Sequence, residues 1–265
     1  GIDGVIQQEV IVVDDGSTDR TTEVAREAGA IVESHPDNLG VGAAFHTGMD
    51  MALSRGADII VNMDGDGQFD PADIPALIEP ILKGNYDFVT GSRFADPDLE
   101  PDMPWVKRQG NALMAWLINW VIKKKKFTDV SCGFRAYNRK AGLKLTLFGE
   151  FTYTQESFID LASKNVEMTE VPLRVRGERK HGKSRVAHNL WHYALKAGII
   201  ILRSVRDKRP LPFFGGIGLC VFLLGVLCGG FVFGYWVMTG QTSGFRSVLF
   251  GSAVFLIVGF LLGVL

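Results

Sequence analysis

Asp58-Ile59-Ile60-Val61-Asn62-Met63-Asp64-Gly65-Asp66-Gly67-Gln68 reads as a strand that stops on two carboxylates one residue apart. Ile59, Ile60 and Val61 are β-branched and apolar, so a short buried strand is expected over Asp58–Val61. In open α/β sheets ligands sit in the crevice beyond the strand ends, which is where Asp64 and Asp66 fall. Oxygen donors on a short loop suit Mg²⁺ or Mn²⁺, ions that keep positions open for substrate phosphates. Two other readings compete. Counted from Asn62, the oxygen donors Asn62, Asp64 and Asp66 with Gly67 and Asp73 imitate a calcium loop. Such a loop follows a helix, however, and the residues before this one are strand formers. The plainer alternative is an acidic strand-to-helix turn, with Asp70 as cap and Pro71 at the first helical position.

The flanking sequence alternates in the same way. Strands are expected at Glu9–Val13, Ala30–Glu33, Asp58–Val61 and Asp87–Thr90, with helices near Thr18–Ala28, Gly42–Ser54 and Pro71–Leu82 between them. Repeated βα units imply an α/β fold with a mostly parallel sheet. The first strand ends in Asp14-Asp15-Gly16-Ser17-Thr18-Asp19, a polar nest at the sheet edge. A helix cap explains Ser17 or Thr18 but does not call for two carboxylates. Asn38-Leu39-Gly40-Val41-Gly42 imitates a dinucleotide fingerprint, yet Phe45 holds the third glycine position, so no nicotinamide cofactor is expected. Beyond Ser92 come a Pro-bearing acidic loop, a long amphipathic segment Trp105–Ile122, the run Lys123-Lys124-Lys125-Lys126 and a strand Val166–Val175. Trp116 and Trp120 stand at helical spacing, which fits core packing or lipid contact. The lysine run fits a solvated turn or an anionic surface.

The chain has 265 residues, 47% of them hydrophobic, and the apolar excess gathers at the C-terminus. Residues 210–245 hold no Asp, Glu, Lys or Arg, and after Arg246 the chain is again uncharged. A membrane span needs about 20 apolar residues, which predicts two transmembrane helices over residues 210–265, the second cut short. Charge is divided just as sharply. Arg174 to Arg209 contains eleven Lys and Arg against Glu178 and Asp207, whereas the formal total is only −1. A basic collar before a span places the N-terminal part in the cytoplasm, at a cell or endoplasmic-reticulum-type membrane, and suits anionic headgroups or a lipid phosphate. Nucleic acid is not expected, because the rest of the soluble part is acidic. Residues 186–209 read as a juxtamembrane amphipathic helix with Leu190, Ala194, Leu195, Ile199 and Leu202 on one side. Cys132, Cys220 and Cys228 do not form a disulfide framework.

Several motifs occur in a telling order: Val13-Asp14-Asp15-Gly16-Ser17-Thr18-Asp19, Asp64-Gly65-Asp66-Gly67-Gln68, Gly91-Ser92-Arg93-Phe94 and Thr128-Asp129-Val130-Ser131-Cys132-Gly133-Phe134-Arg135. Gln155-Glu156, Glu170-Val171-Pro172 and Arg179-Lys180-His181-Gly182-Lys183-Ser184-Arg185 follow. The set resembles the family 2 glycosyltransferases of GT-A fold, and within them the polyprenyl-phosphate branch typified by dolichol-phosphate mannose synthase. The resemblance implies a GT-A domain over residues 1–185. It implies that Asp14, Asp15 and Asp64 meet the nucleotide, and that Asp64, Asp66 and Gln68 hold Mg²⁺ or Mn²⁺. Arg93, Arg108, Arg135 and Arg179 fall where the family surrounds phosphates with basic groups; Lys183 and Arg185 join them on charge alone. Asp66, Asp129 and Arg135 are the catalytic candidates, Asp129 as a base or as a group orienting the acceptor. The family's opening strand, with its Pro-x-x-Asn-Glu-type segment, is missing, which predicts a domain truncated at its N-terminus.

The expected reaction is an inverting, metal-dependent transfer of a hexose from a GDP-mannose- or UDP-glucose-type donor to a polyprenyl or dolichyl phosphate on the cytoplasmic leaflet. A homo-oligomer is compatible with this reading. Three rivals stand beside it. A processive polysaccharide synthase normally carries Gln-x-x-Arg-Trp, and the chain has no Arg-Trp pair. A nucleotidyltransferase would have no use for the spans. A membrane-anchored nucleotide-sugar binder without turnover is the third.

Overall fold

The computed structural model describes residues 8–101, 103–123, 126–146, 153–176, 198, 202–203, 205–207 and 210–264. The chain divides into two compact units, Gly1–Ile201 and Leu202–Leu265.

In the first unit β1 (Ile11–Asp14) runs parallel to β2 (Ile31–Ser34), with α1 (Thr21–Glu27) as the crossover. The helix α2 (Val41–Ser54) leads to β3 (Ile59–Asn62), which belongs to a second sheet. A 3₁₀ turn at Pro71–Asp73 feeds α3 (Ile74–Leu82), and β4 (Phe88–Ser92) follows. Then come α4 (Trp105–Ile122), β5 (Arg135–Asn138), α5 (Arg139–Lys144), α6 (Tyr153–Ser163) and β6 (Met168–Pro172). The second sheet has the order β3-β5-β4-β6.

Two differences from expectation stand out. The sheet is mixed rather than mostly parallel, because β5 enters antiparallel to both β3 and β4. Arg135-Ala136-Tyr137-Asn138 has one strong strand former in four residues, so its pairing is imposed by its neighbours rather than by propensity. The strands also fall into two sheets. Among the described residues, β1 pairs only with β2 and β3 only with β5. The helix expected from Thr18 begins at Thr21, since Asp19 ties down the Thr21 amide at 3.0 Å.

Side-chain alternation along β4 and β5 builds two apolar layers. On one face Leu77, Ile78 and Ile81 of α3 pack against Val89, Phe134, Ala136 and Leu173. On the other, Phe88 lies edge-on to Phe158 at 5.5 Å, Phe158 meets Phe127 at 4.8 Å, and Phe45 stacks on Tyr153 at 4.4 Å.

In the second unit α7 (Pro210–Thr239) and α8 (Arg246–Val264) form a helical hairpin. Both are long and apolar enough to cross a membrane. Their contact is made of glycine. A Cβ on Gly218 would lie 2.6 Å from the Gly259 carbonyl oxygen, and one on Gly259 would lie 2.5 Å from the Phe222 nitrogen. Backbones approach this closely only where side chains are absent. The amphipathic helix expected over residues 186–209 lies almost wholly outside the described residues.

Candidate functional site

The site is built at the end of β3. Asn62, its last residue, donates from Nδ2 to the Gly133 carbonyl at 2.8 Å and to Tyr153 Oη at 3.2 Å. These bonds join β3, the loop before β5 and the start of α6. Asp64 and Asp66 follow on a half-buried turn. The turn succeeds a strand, so the calcium-loop reading fails, whereas the expected cap is present: Asp70 accepts from the Ala72 amide at 3.0 Å, with Pro71 at the first helical position.

Asp64 lies against bare backbone. A Cβ on Gly133 would meet Asp64 Oδ2 at 2.8 Å, so any other residue there would have to displace this carboxylate. Asp66 Oδ1 accepts from the Gln68 amide at 3.0 Å, which curls the turn. The Gln68 side-chain nitrogen donates to the Arg176 carbonyl at 3.1 Å, and the Arg176 amide returns a bond to the Gln68 carbonyl at 3.0 Å. With its nitrogen so engaged, the Gln68 side chain has its oxygen left to ligate. No group of three or more His, Cys, Asp and Glu that would hold a metal alone occurs among the described residues. Two carboxylates and one amide oxygen instead fit an ion that takes its remaining ligands from water and phosphate.

Burial pushes the pKa of Tyr153 up and the Asp64 charge adds to this, so the ring stays a neutral phenol. Burial, with Asp129 beside it, pushes the Cys132 thiol up to about 12, which removes it as a nucleophile at neutral pH.

Three sequence-expected residues are employed differently from expectation. Asp129 has a side chain 0% exposed, clasped by Arg93 through Nε at 2.6 Å and Nη2 at 2.9 Å. A general base open to substrate is therefore not what this carboxylate is in this structure. Arg135 is also 0% exposed. Its guanidinium donates to the carbonyls of Cys132 and Val130 and to Ser157 Oγ, with the Phe158 ring 4.8 Å away. It holds the loop before β5 in shape and does not present itself to a phosphate. Arg108 pairs with Glu100 at 2.9 Å on the exposed side of α4.

Asp14 and Asp15 both serve the fold. Asp14 accepts from the Ser17 amide at 3.1 Å and from the Thr22 hydroxyl; the side chains of Ser17 and Thr22, in that order, hold its pKa below the ordinary value. Asp15 accepts from the Leu39 and Gly40 amides at 2.9 and 2.8 Å and faces His35 Nδ1 at 2.8 Å. Those amides are the ones the imitation fingerprint would have aimed at a phosphate, so that segment is a carboxylate clamp. Gly16 closes it at φ 72, where a Cβ would lie 2.6 Å from the Asp37 carbonyl carbon.

A second carboxylate organises the far side. Glu170 on β6 accepts from the Thr128 amide at 2.9 Å and the Thr128 hydroxyl at 3.1 Å, while Thr128 Oγ1 lies 2.7 Å from Ser92 Oγ. Tyr153 and Arg176 were not singled out from sequence, and Asn62 only as a donor in the calcium-loop reading, because the role of each here is recognisable only through a partner more than 70 positions away. Arg179, Lys183 and Arg185 lie outside the described residues.

Residues 2–145 match the Glycosyl transferase family 2 profile, more than half of the chain. The chain belongs to glycosyl transferase family 2. This family 2 glycosyltransferase is 32% identical over 185 residues to the UDP-N-acetylglucosamine–dolichyl-phosphate N-acetylglucosaminyltransferase of Methanococcus voltae, covering 62% of the chain and 73% of that relative. It is 29% identical over 198 residues to the polyprenol monophosphomannose synthase of Mycolicibacterium smegmatis, covering 68% and 71%. Among solved structures, glucosyl-3-phosphoglycerate synthase from Mycobacterium tuberculosis in complex with Mn²⁺, uridine diphosphate and phosphoglyceric acid matches with a TM-score of 0.54 at 22% identity, over 76% of this chain and 67% of that one. That likeness establishes the GT-A-like fold of the family 2 enzyme and nothing finer.

Proposed function

We propose that this glycosyltransferase is membrane-attached and transfers a hexose, with inversion, from a nucleotide sugar to a polyprenyl phosphate on the cytoplasmic leaflet. The observation that carries the reading is the Asp64–Asp66 turn at the end of β3, closed over by the Gly133 loop, in a chain that ends in two apolar helices. The names of the Methanococcus and Mycolicibacterium relatives support a polyprenyl-type acceptor. The Arg174–Arg209 collar supports a cytoplasmic catalytic unit.

Asp64 and Asp66, with the Gln68 side-chain oxygen, would hold Mg²⁺ or Mn²⁺; the Mn²⁺ and uridine diphosphate bound by the synthase of like fold favour a divalent ion here. Such an ion supplies charge stabilisation for the departing diphosphate. Asp14 and Asp15 are assigned to the base and ribose. Arg93, Arg176, Arg179, Lys183 and Arg185 are assigned to the phosphates, in place of the buried Arg135 and of Arg108, which pairs with Glu100.

In the reaction an acceptor phosphate oxygen forms the bond to the anomeric carbon while the bond to the nucleoside diphosphate breaks, and the electron pair leaves with the diphosphate. A single displacement inverts that centre. The acceptor, with a second pKa near ~6, is already anionic at neutral pH, so positioning matters more than a strong base. The engagement of Asp129 by Arg93 agrees with a site that needs none.

The test is transfer of label into the lipid phase. The full chain in liposomes receives polyprenyl phosphate, Mn²⁺ and labelled GDP-mannose, UDP-glucose or UDP-N-acetylglucosamine. One donor should label the lipid with the opposite anomeric configuration. Hydrolysis of donor with no labelled lipid would overturn the acceptor assignment.

A further inference from the structure

The helix α4 carries an apolar stripe that nothing among the described residues of its own unit covers. Trp105, Val106, Leu113, Trp116 and Trp120 are 71%, 56%, 59%, 61% and 58% exposed. At about 100° per residue these five and Gln109 fall within an arc of about 100°. Ala115, Ile118, Val121 and Ile122 are buried on the opposite side of the helix, where α4 packs on α6. The tryptophans are thus not core, one of the two roles their spacing allowed. Three exposed indoles in one stripe are an unusual outlay for a water-facing helix, since contiguous apolar patches mark interaction surfaces.

We propose that this face of α4 docks onto the surface of a lipid bilayer and gives the catalytic unit a membrane contact separate from the apolar hairpin. The chemistry favours lipid over protein as occupant. Tryptophan is the side chain enriched at the headgroup level, where an apolar ring and an N–H donor are both satisfied. The stripe ends at the run Lys123 to Lys126, whose described members Lys123 and Lys126 are exposed and suit anionic headgroups. The helix has the length and one-sided pattern of an interfacial helix, with its polar remainder at Lys107, Arg108 and Asn119. The apolar hairpin of the same chain supplies the bilayer. The inference rests on the membrane attachment proposed above, but not on the identity of donor or acceptor.

The test uses the full chain reduced to one tryptophan at a time, the others replaced by phenylalanine, in liposomes containing brominated phospholipid. Trp116 alone is expected to lose most of its emission when the bromines lie near the headgroups and less when they lie at the bilayer centre. Trp236 alone, in α7, reports membrane attachment independently. Quenching of Trp236 without quenching of Trp116 would overturn the docking and leave the attachment standing. Quenching of neither would overturn both. Shielding of Trp116 from aqueous iodide that depends on protein concentration, without bromine quenching, would assign the stripe to a second copy of the chain and overturn the lipid assignment. Because the stripe lies opposite the packed face, a Trp116→Ser, Trp120→Ser double variant should keep its thermal midpoint. In that variant a remaining Trp105 should lose its bromine quenching; unchanged quenching would contradict a single continuous docking face.

Discussion

Arg93 holds Asp129 in a two-pronged pair at 2.6 and 2.9 Å, with the carboxylate wholly buried and the guanidinium one-fifth exposed. Burial alone would push the arginine's pKa down, but the Asp129 charge outweighs it and holds the guanidinium more firmly protonated than usual. The pair fixes the end of β4 to the loop before β5, whose Gly133 lies against Asp64.

Removing one partner of a buried pair leaves an uncompensated charge and costs about 3–5 kcal/mol. Asp129→Ala is therefore expected to lower the denaturation midpoint sharply and to reduce transfer with it. Replacing both partners, Arg93→Met with Asp129→Leu, should recover much of the stability without the activity. If the double variant regained transfer as well, the pair would be only structural.

A side chain at Gly133 is expected to displace the Asp64 carboxylate. In Gly133→Ala the new methyl meets Asp64 Oδ2 at 2.8 Å, so the carboxylate must shift. Support residues of metal ligands are typically worth about 10–100-fold in metal affinity. The Mn²⁺ concentration for half-maximal transfer should rise by about that factor, with the thermal midpoint little changed. An unaltered Mn²⁺ response would separate Asp64 from the metal.

How much of this was legible in advance follows from what each feature needs. The β3 end and its carboxylates are local, and periodicity with a strand-to-turn transition exposes them. The apolar helices are equally local. β5 was invisible because Arg135 and Asn138 are poor strand formers whose pairing comes from β3 and β4. The ordered motifs pointed to Asp129 and Arg135 but not to their use. A sequence shows a charged residue without showing that its charge is directed inward, onto Arg93 in one case and onto Cys132, Val130 and Ser157 in the other.

Acid should release the Asp15 clamp. For Asp15 burial pushes the pKa up, but the bonds from His35, Leu39 and Gly40 outweigh it and the net shift is downward. A carboxyl lower in the folded than in the unfolded chain contributes its stability above the unfolded value, about 3.9, and loses it as pH falls through the folded value. Wild type and Asp15→Asn should differ in thermal midpoint at pH 6, and the difference should begin to narrow near the unfolded value and vanish only below the lower, folded one. A difference that persists unchanged at pH 3 would remove the carboxylate's charge from the explanation.

The helical hairpin should depend on its glycines. Gly259→Val places a branched side chain where even a Cβ would lie 2.5 Å from the Phe222 nitrogen, so α7 and α8 must separate. A cysteine pair introduced across the wild-type contact should oxidise readily and lose that reactivity in the variant. Gly230→Val, at a position with nothing within 4 Å of a Cβ, serves as the control and should cross-link as wild type does.

The central claim is that Asp64 and Asp66 carry a metal-assisted sugar transfer. The most direct measurement is the initial rate of lipid labelling by wild type and Asp66→Asn in the same liposomes, with Mn²⁺ and then with EDTA. Loss of electrostatic stabilisation at a developing charge costs about 10²–10³-fold. The expected result is a drop of that order in Asp66→Asn, and EDTA should silence both proteins. Equal rates for the two proteins, or transfer that survives EDTA, would contradict the claim.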